Sequence, residues 1–185
     1  MNVLEIARYS LNGNMPPSGN LEDAQALLAF PFGLVRDIDG AFVRPGATNE
    51  ALISYILENP ILRKMTIVYS EELQKGLEGQ TEGKTLFLSN FTGQNKESTS
   101  YDYARRAHQS FKDIQIGKVA IVAFSHHLPR AVASSQRVGI NTVVPDLRGV
   151  GDFDTESSQP WTRNANAWAK REAKVIPGSF LFRQI

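Results

Sequence analysis

The feature that most constrains the fold of this chain is an unbroken apolar run, Val119–Phe124. Six consecutive apolar residues are typical of a β-strand that is buried on both faces. The run leads directly into Ser125-His126-His127-Leu128-Pro129-Arg130, where a helix is predicted to begin. In open α/β sheets, ligands bind at the carboxyl ends of the strands. We therefore expect this segment to lie at the functional edge of a sheet.

The remaining pattern alternates between strands and helices. Further short strands are predicted at Met65–Tyr69, Thr85–Leu88 and Asn141–Pro145. Helices are predicted between and around them, at residues 2–9, 49–58, 98–114, 131–138 and 161–174, with Gly139 ending the fourth. This alternation predicts an α/β fold, a Rossmann-like three-layer sandwich with a mostly parallel sheet, formed by one domain over residues 1–185.

Four segments are assigned on weaker patterns. Leu21–Phe30 has apolar residues at helical spacing and is predicted to be a helix that packs on the sheet. Either Phe32–Ile38 or Ala41–Val43 provides the first strand, and the pattern does not separate the two. Asp146–Pro160 is the longest loop, which either covers the site or is idle. Ile176–Ile185 is predicted to end the chain with an edge strand.

Composition excludes several classes of protein. The chain has 20 basic and 19 acidic residues, a net charge of +1, so bulk charge gives no support to nucleic-acid or membrane-surface binding. It has no cysteine, which excludes disulfides, thiolate nucleophiles and cysteine-ligated zinc. No apolar run approaches the roughly 20 residues that span a bilayer. We expect a cytoplasmic protein whose partner is a small molecule; the sequence does not give its oligomeric state.

His127 and Arg130 are the strongest candidate functional residues. They are three positions apart, so at a helix start they lie on one face. Imidazole serves as a general acid or base near neutral pH, and guanidinium holds a carboxylate or phosphate with two hydrogen bonds. The alternative is that the histidine caps the helix and the arginine pairs with a surface acid. Their position directly after the most apolar strand favours a ligand site.

Other polar residues are assigned to the same edge of the sheet. Glu71 follows a predicted strand and is a candidate supporting carboxylate, although helix dipoles favour acids in a first turn regardless of function. Adjacent histidine side chains diverge and the chain has no cysteine, so no metal is expected. The candidate ligand-binding residues are Gly46 and Asn49 in the loop RPGATN, Ser98 and Thr99 before a helix, and Ser125 and His126.

The same residues have structural alternatives. Thr48 or Asn49 is also a candidate helix cap, as is one of the hydroxyls of Ser98-Thr99-Ser100. The chain contains neither GxGxxG nor GxxxxGK[ST], so no nucleotide-binding fingerprint is present. Trp161 and Trp168, seven residues apart, are predicted to be a core stripe.

Two segments resemble the YdcF/SanA/ElyC-like domain family. Ser98-Thr99-Ser100-Tyr101 with Ala104 is similar to the family's helix start S-x-x-T-x-x-N-A, and Ser125–Ala131 to its segment T-S-x-x-H-M-x-R-A. The resemblance covers residues 64–145, with 1–30 as an N-terminal extension. It is most specific at His127, Arg130 and Ala131. The family's VVLGGG strand and its glycine pair are not matched.

The resemblance implies a Rossmann-like fold with its site at the carboxyl ends of the strands, and it carries over Thr99, Glu71, His127 and Arg130. We expect an enzyme for an anionic or nucleotide-like small molecule, with His127 as acid or base, Arg130 as anion clamp and Glu71 in support. The alternative is a non-catalytic module for a nucleoside-type compound, and a scaffold protein is a third class. The cofactor is not specified, and a nucleotide-like or adenosyl-type ligand is compatible with the site.

Overall fold

The structure, a computed structural model, describes the backbone of residues 1–88, 91–92, 96–97 and 99–181 and the side chains of residues 1–88 and 99–176. The described strands are β1 (Ala26–Phe30), β2 (Val35–Arg36), β3 (Phe42–Arg44), β4 (Thr66–Tyr69), β5 (Thr85–Phe87), β6 (Phe91–Thr92), β7 (Lys96–Glu97), β8 (Lys118–Ala123) and β9 (Asn141–Val143). The described α-helices are α1 (Val3–Asn12), α2 (Ala47–Glu58), α3 (Glu71–Leu77), α4 (Ser100–Asp113), α5 (Leu128–Arg137) and α6 (Ala165–Leu181).

Five parallel strands form the central sheet, in the order β5-β4-β1-β8-β9. The chain builds outwards from β1 through β4 to β5, then crosses to the other side of β1 to form β8 and β9. The direction of winding therefore reverses between β1 and β8, and a crevice opens at the carboxyl ends of such a strand pair. The predicted α/β class and Rossmann-like sandwich are confirmed.

The core explains why β1 and β8 lie at the centre. All five residues of β1 are buried, and so are five of the six residues of β8. A strand with neighbours on both sides and helices over both faces needs apolar side chains at every position, so its sequence does not alternate. The apolar run from Val119 is such a strand, as predicted.

The predicted helix at 21–30 is wrong. A 3-10 turn covers Leu21–Asp23, and Ala26–Phe30 is the central strand β1. Its run of five apolar residues fits a buried helix face as well as a buried strand, because a strand buried on both faces has no period of two. Pairing with β4 on one side and β8 on the other decides the outcome.

Neither of the two segments predicted as alternatives for the first strand of the sheet belongs to the central sheet. Val35–Arg36 and Phe42–Arg44 pair with each other as the antiparallel hairpin β2–β3, outside the central sheet. The intervening turn is closed by Asp37, whose carboxylate accepts hydrogen bonds from the backbone of Asp39 and Ala41. This local turn pairs the two segments with each other.

The predicted C-terminal edge strand is wrong over its described part. Helix α6 continues to Leu181, and residues 182–185 lie outside the described part of the chain. The helix packs along α1, so tertiary contact overrides the local preference of Pro177-Gly178 for a helix end. No helix in the described ranges is both long and apolar enough to cross a membrane.

The segment 146–160 is an irregular loop, as predicted, and it is anchored. The carboxylate of Asp154 accepts a hydrogen bond from the backbone of Ala47, 3.0 Å away. Ser158 Oγ accepts one from the backbone of Arg36 at 2.8 Å, and Ser158 N donates to the carbonyl of Leu34 at 2.8 Å. These bonds attach the loop to α2 and to the β2–β3 hairpin.

Candidate functional site

His127 lies at the point where the winding of the sheet reverses. It precedes the first residue of α5, four positions after the end of β8, and is 7% exposed. Its ring centroid is 5.9 Å from those of Phe30, the last residue of β1, and Phe32, two residues further on, and 5.8 Å from that of Trp168, on which it stacks. The predicted placement of this histidine at the carboxyl edge of the sheet is confirmed.

The one polar side chain within hydrogen-bond distance of His127, among the described residues, is Ser100. Its Oγ lies 3.3 Å from Nε2 of the imidazole. Burial lowers the pKa of His127 well below its usual value of 6.5, and the positive charges of Arg130 and Arg171 lower this pKa further. The imidazole is therefore neutral at pH 7 and can accept a proton at one ring nitrogen.

Arg130 is largely buried beside the same tryptophan, with 13% of its side chain exposed. Its guanidinium carbon lies 5.1 Å from the ring centroid of Trp168, and its Nη2 is 3.6 Å from Oε1 of Glu172 on α6. Burial lowers the pKa of Arg130 to about 10 despite the attraction of Glu172. Burial likewise raises the pKa of Glu172, against the opposing effect of Arg130 and Arg171. The pair is thus held in a weakly solvated interior.

The Arg130–Glu172 pair is incompletely hydrogen-bonded. Nε of Arg130 and both carboxylate oxygens of Glu172 are buried and have no hydrogen-bond partner in the described part of the chain. Such groups normally find partners, because each one left unsatisfied costs about 1–3 kcal/mol. The structure brings His127 and Arg130 together around Trp168, with Glu172 as the ionic partner of Arg130.

His126 and Ser125 lie against α1. Nδ1 of His126 donates to the carbonyl oxygen of Ser10 at 2.9 Å, and Nε1 of Trp168 donates to the same oxygen at 3.1 Å. Ser125 is 8% exposed, and its Oγ would lie 3.0 Å from a Cβ atom added at Gly13, which ends α1 in the left-handed conformation. The carbonyl oxygen of Ser10 on α1 is therefore shared by His126, at the edge of the sheet, and Trp168 of α6.

Gly46 and Asn49 shape the loop after β1. Asn49 is fully buried, accepts a hydrogen bond from the backbone of Phe32 at 2.8 Å and donates to the carbonyls of Gly33 and Pro45 at 2.7 and 2.8 Å. The predicted capping of α2 by Thr48 or Asn49 is wrong. Its N-cap is Gly46, at φ +89°, because the chain enters the helix in a conformation that glycine accommodates.

The other predicted residues have separate surroundings. Glu71 begins α3, is partly exposed and pairs with Arg36 of the β2–β3 hairpin at 3.6 Å. Thr99 caps α4 through a reciprocal pair of hydrogen bonds with Asp102, as the capping alternative predicts. Ser98 lies outside the described residues. Among the described side chains, Glu71 and His127 share neither a hydrogen bond nor an ion pair.

Sequence reasoning missed three residues of this site. One hydroxyl of residues 98–100 is predicted to cap the helix or to bind a ligand, and a bond to a histidine is not predicted; Thr99 is the cap, and the Ser100 hydroxyl lies within hydrogen-bond distance of His127. Trp168 and Glu172 are four apart on α6, a spacing that places them on one helix face. That spacing was the available signal, but nothing local indicates that this face packs against the carboxyl edge of the sheet.

Within the described ranges, no group of three or more histidine, aspartate or glutamate side chains is arranged to hold a metal ion. No family model matches this chain, and neither a curated protein nor a solved structure matches it.

Proposed function

We propose that the protein is an enzyme for an anionic or nucleotide-like small molecule, with His127 as its general acid or base. The observation that carries this proposal is the position of a neutral imidazole at the reversal point between β1 and β8. Ligand sites in parallel sheets concentrate at this point. A histidine that is neutral at pH 7 has a free ring nitrogen and can accept a proton from the substrate.

Arg130 is proposed to bind the anionic group of the substrate. Its Nε has no described hydrogen-bond partner, and its distance of 3.6 Å to Glu172 exceeds that of a charge-assisted hydrogen bond. A substrate phosphate or carboxylate would therefore gain hydrogen bonds that Glu172 does not make. Glu71 is proposed as a supporting carboxylate, since it begins the helix after the neighbouring strand β4.

The alternative is a binding module that holds a nucleoside-type compound without turnover. The position of His127 and Arg130 at the carboxyl edge of the sheet supports this alternative equally, because ligands bind at this edge with or without turnover. Near-zero net charge supports a small molecule rather than a nucleic acid as partner, and we propose a cytoplasmic location. The two motif segments, residues 98–104 and Ser125–Ala131, support membership of the YdcF/SanA/ElyC-like family.

A thermal-shift screen of nucleotides, phosphosugars and carboxylates tests the proposal. We expect at least one compound to raise the melting temperature by several degrees and to be turned over. His127→Gln keeps a hydrogen-bonding group but has no basic ring nitrogen, so the shift should remain while turnover falls about 100-fold or more. A shift without turnover in the wild-type protein would favour the binding module. No shift with any compound would support a scaffold protein and refute both readings.

A further inference from the structure

Ser100 has a hydroxyl group that the helix it begins does not use. Thr99 caps α4 by accepting a hydrogen bond from the backbone of Asp102, and the Asp102 side chain bonds back to the backbone of Thr99. A capping box of this kind satisfies two backbone amides at the start of a helix. The neighbouring Ser100 side chain instead reaches His127, 27 positions further along the chain.

Ser100 and His127 differ in how deeply they are buried. Ser100 is half-buried, whereas His127 is 7% exposed and its ring is surrounded by Phe30, Phe32 and Trp168. The serine is therefore the more exposed residue of the pair. This is the order that nucleophilic catalysis requires, with the base behind the nucleophile and within hydrogen-bond reach.

We propose that Ser100 is a covalent nucleophile, with His127 as its base, and that the substrate is an ester. The inference deepens the proposed function and rests on it, because it assigns the proton accepted by His127 to the Ser100 hydroxyl. The distance of 3.3 Å between Ser100 Oγ and His127 Nε2 is slightly longer than the usual range of about 2.6–3.2 Å, and such pairs are often longer in the absence of substrate.

The reaction has two balanced steps. Oγ of Ser100 bonds to the ester carbonyl carbon while its proton passes to Nε2 of His127, and the bond to the leaving alkoxide breaks as that alkoxide takes the proton. A water molecule then attacks the acyl-serine, gives its proton to Nε2, and the proton returns to Oγ as the acid is released. The net reaction is ester plus water to acid plus alcohol.

The carbonyl oxygen becomes negatively charged in both steps. Ser100 and Tyr101 occupy the first turn of α4, where backbone amides have no partner within the helix. Those N–H groups are the donors nearest in sequence to the reacting Oγ, and hydrogen bonds to a developing oxyanion are a major source of rate acceleration. They assist the step that the serine–histidine pair initiates.

A fluorophosphonate reagent tests the inference in the full chain. Attack by Oγ forms an O–P bond, the P–F bond breaks, fluoride leaves and the hydroxyl proton passes to His127. We expect the label on Ser100, located by fragmentation of the tryptic peptide covering residues 97–105. Ser100→Ala should remove it, and His127→Gln should slow labelling about 100-fold. Ser110→Ala, which removes a hydroxyl from the same helix, should label like the wild type.

Failure of this inference is distinguishable from failure of the proposed function. An unlabelled Ser100 in the wild-type protein, or labelling that Ser100→Ala does not reduce, overturns the nucleophile. If a compound found in the thermal-shift screen is turned over equally by Ser100→Ala but not by His127→Gln, His127 acts on the substrate directly. The proposed acid–base function then survives and the covalent step does not.

Discussion

Separating the buried charges of Arg130 and Glu172 should be far more costly than removing them together. At 3.6 Å and an effective dielectric constant near 20, their attraction is about 4–5 kcal/mol. Each charge also loses hydration worth several kcal/mol, since the side chains are 13% and 2% exposed. With three of their polar atoms lacking partners, this loss is poorly offset.

The single variants Arg130→Met and Glu172→Met each leave an uncompensated buried charge. We expect each to lower the free energy of unfolding by about 3–5 kcal/mol. The double variant fills the space with flexible apolar side chains and should lie within about 1–2 kcal/mol of the wild type. The coupling energy between the two sites should therefore be at least about 3 kcal/mol.

Urea unfolding at pH 7, followed by tryptophan fluorescence, measures all four proteins. Trp168 lies beside Arg130 and reports on the region directly. The matched control is the ion pair between Lys118 and Asp23, which is shorter, at 2.7 Å, but roughly half exposed. Its single variants should cost about 0–1 kcal/mol. Additive effects at Arg130 and Glu172, with a coupling below about 1 kcal/mol, would refute the reasoning that burial governs this pair.

Three further predictions concern neighbouring positions. As the pH falls below 6.5, His127 becomes protonated in the unfolded chain but stays neutral in the folded protein, where burial lowers its pKa. Wild type should therefore lose up to about 1.4 kcal/mol per pH unit more than His127→Gln in unfolding titrations, and equal slopes would contradict this. Asn49→Ala leaves three backbone groups without their hydrogen-bond partner and should lower the free energy of unfolding in urea by about 2–4 kcal/mol. The control is Asn164→Ala, which removes an exposed side-chain bond to the backbone of Ala167 and should cost about 1 kcal/mol. Similar costs for the two variants would argue against this role of Asn49. Gly13→Ala should lower the free energy of unfolding by at least about 1 kcal/mol more than Gly79→Ala in the same assay. Both glycines have a positive φ, but only a Cβ atom at Gly13 would lie close to another side chain, 2.7 Å from the nearest atom of His126. Equal losses would show that the His126 ring moves to make room for the methyl group.

Much of the scaffold could be read from local patterns. The strands β4, β5, β8 and β9 and helices α2, α4 and α5 lie within a few residues of their predicted positions. Glycine at position 139 adopts φ +92° after α5, as a helix-ending glycine should. The placement of His127 directly after β8 also followed from the sequence, because a long apolar strand and a helix start are both local signals.

Only the tertiary structure decided which apolar segment became the central strand and what surrounds the histidine. Ala26–Phe30 is compatible with a helix face or a buried strand, and hydrogen bonds to β4 and β8 select the strand. Trp168 and Glu172 are 41 and 42 residues away from His127 and Arg130, respectively, and their contacts arise when α6 packs against α1 and the edge of the sheet. Local propensity and periodicity determine which residues form an element, whereas burial of several elements against one another determines which side chains share a site.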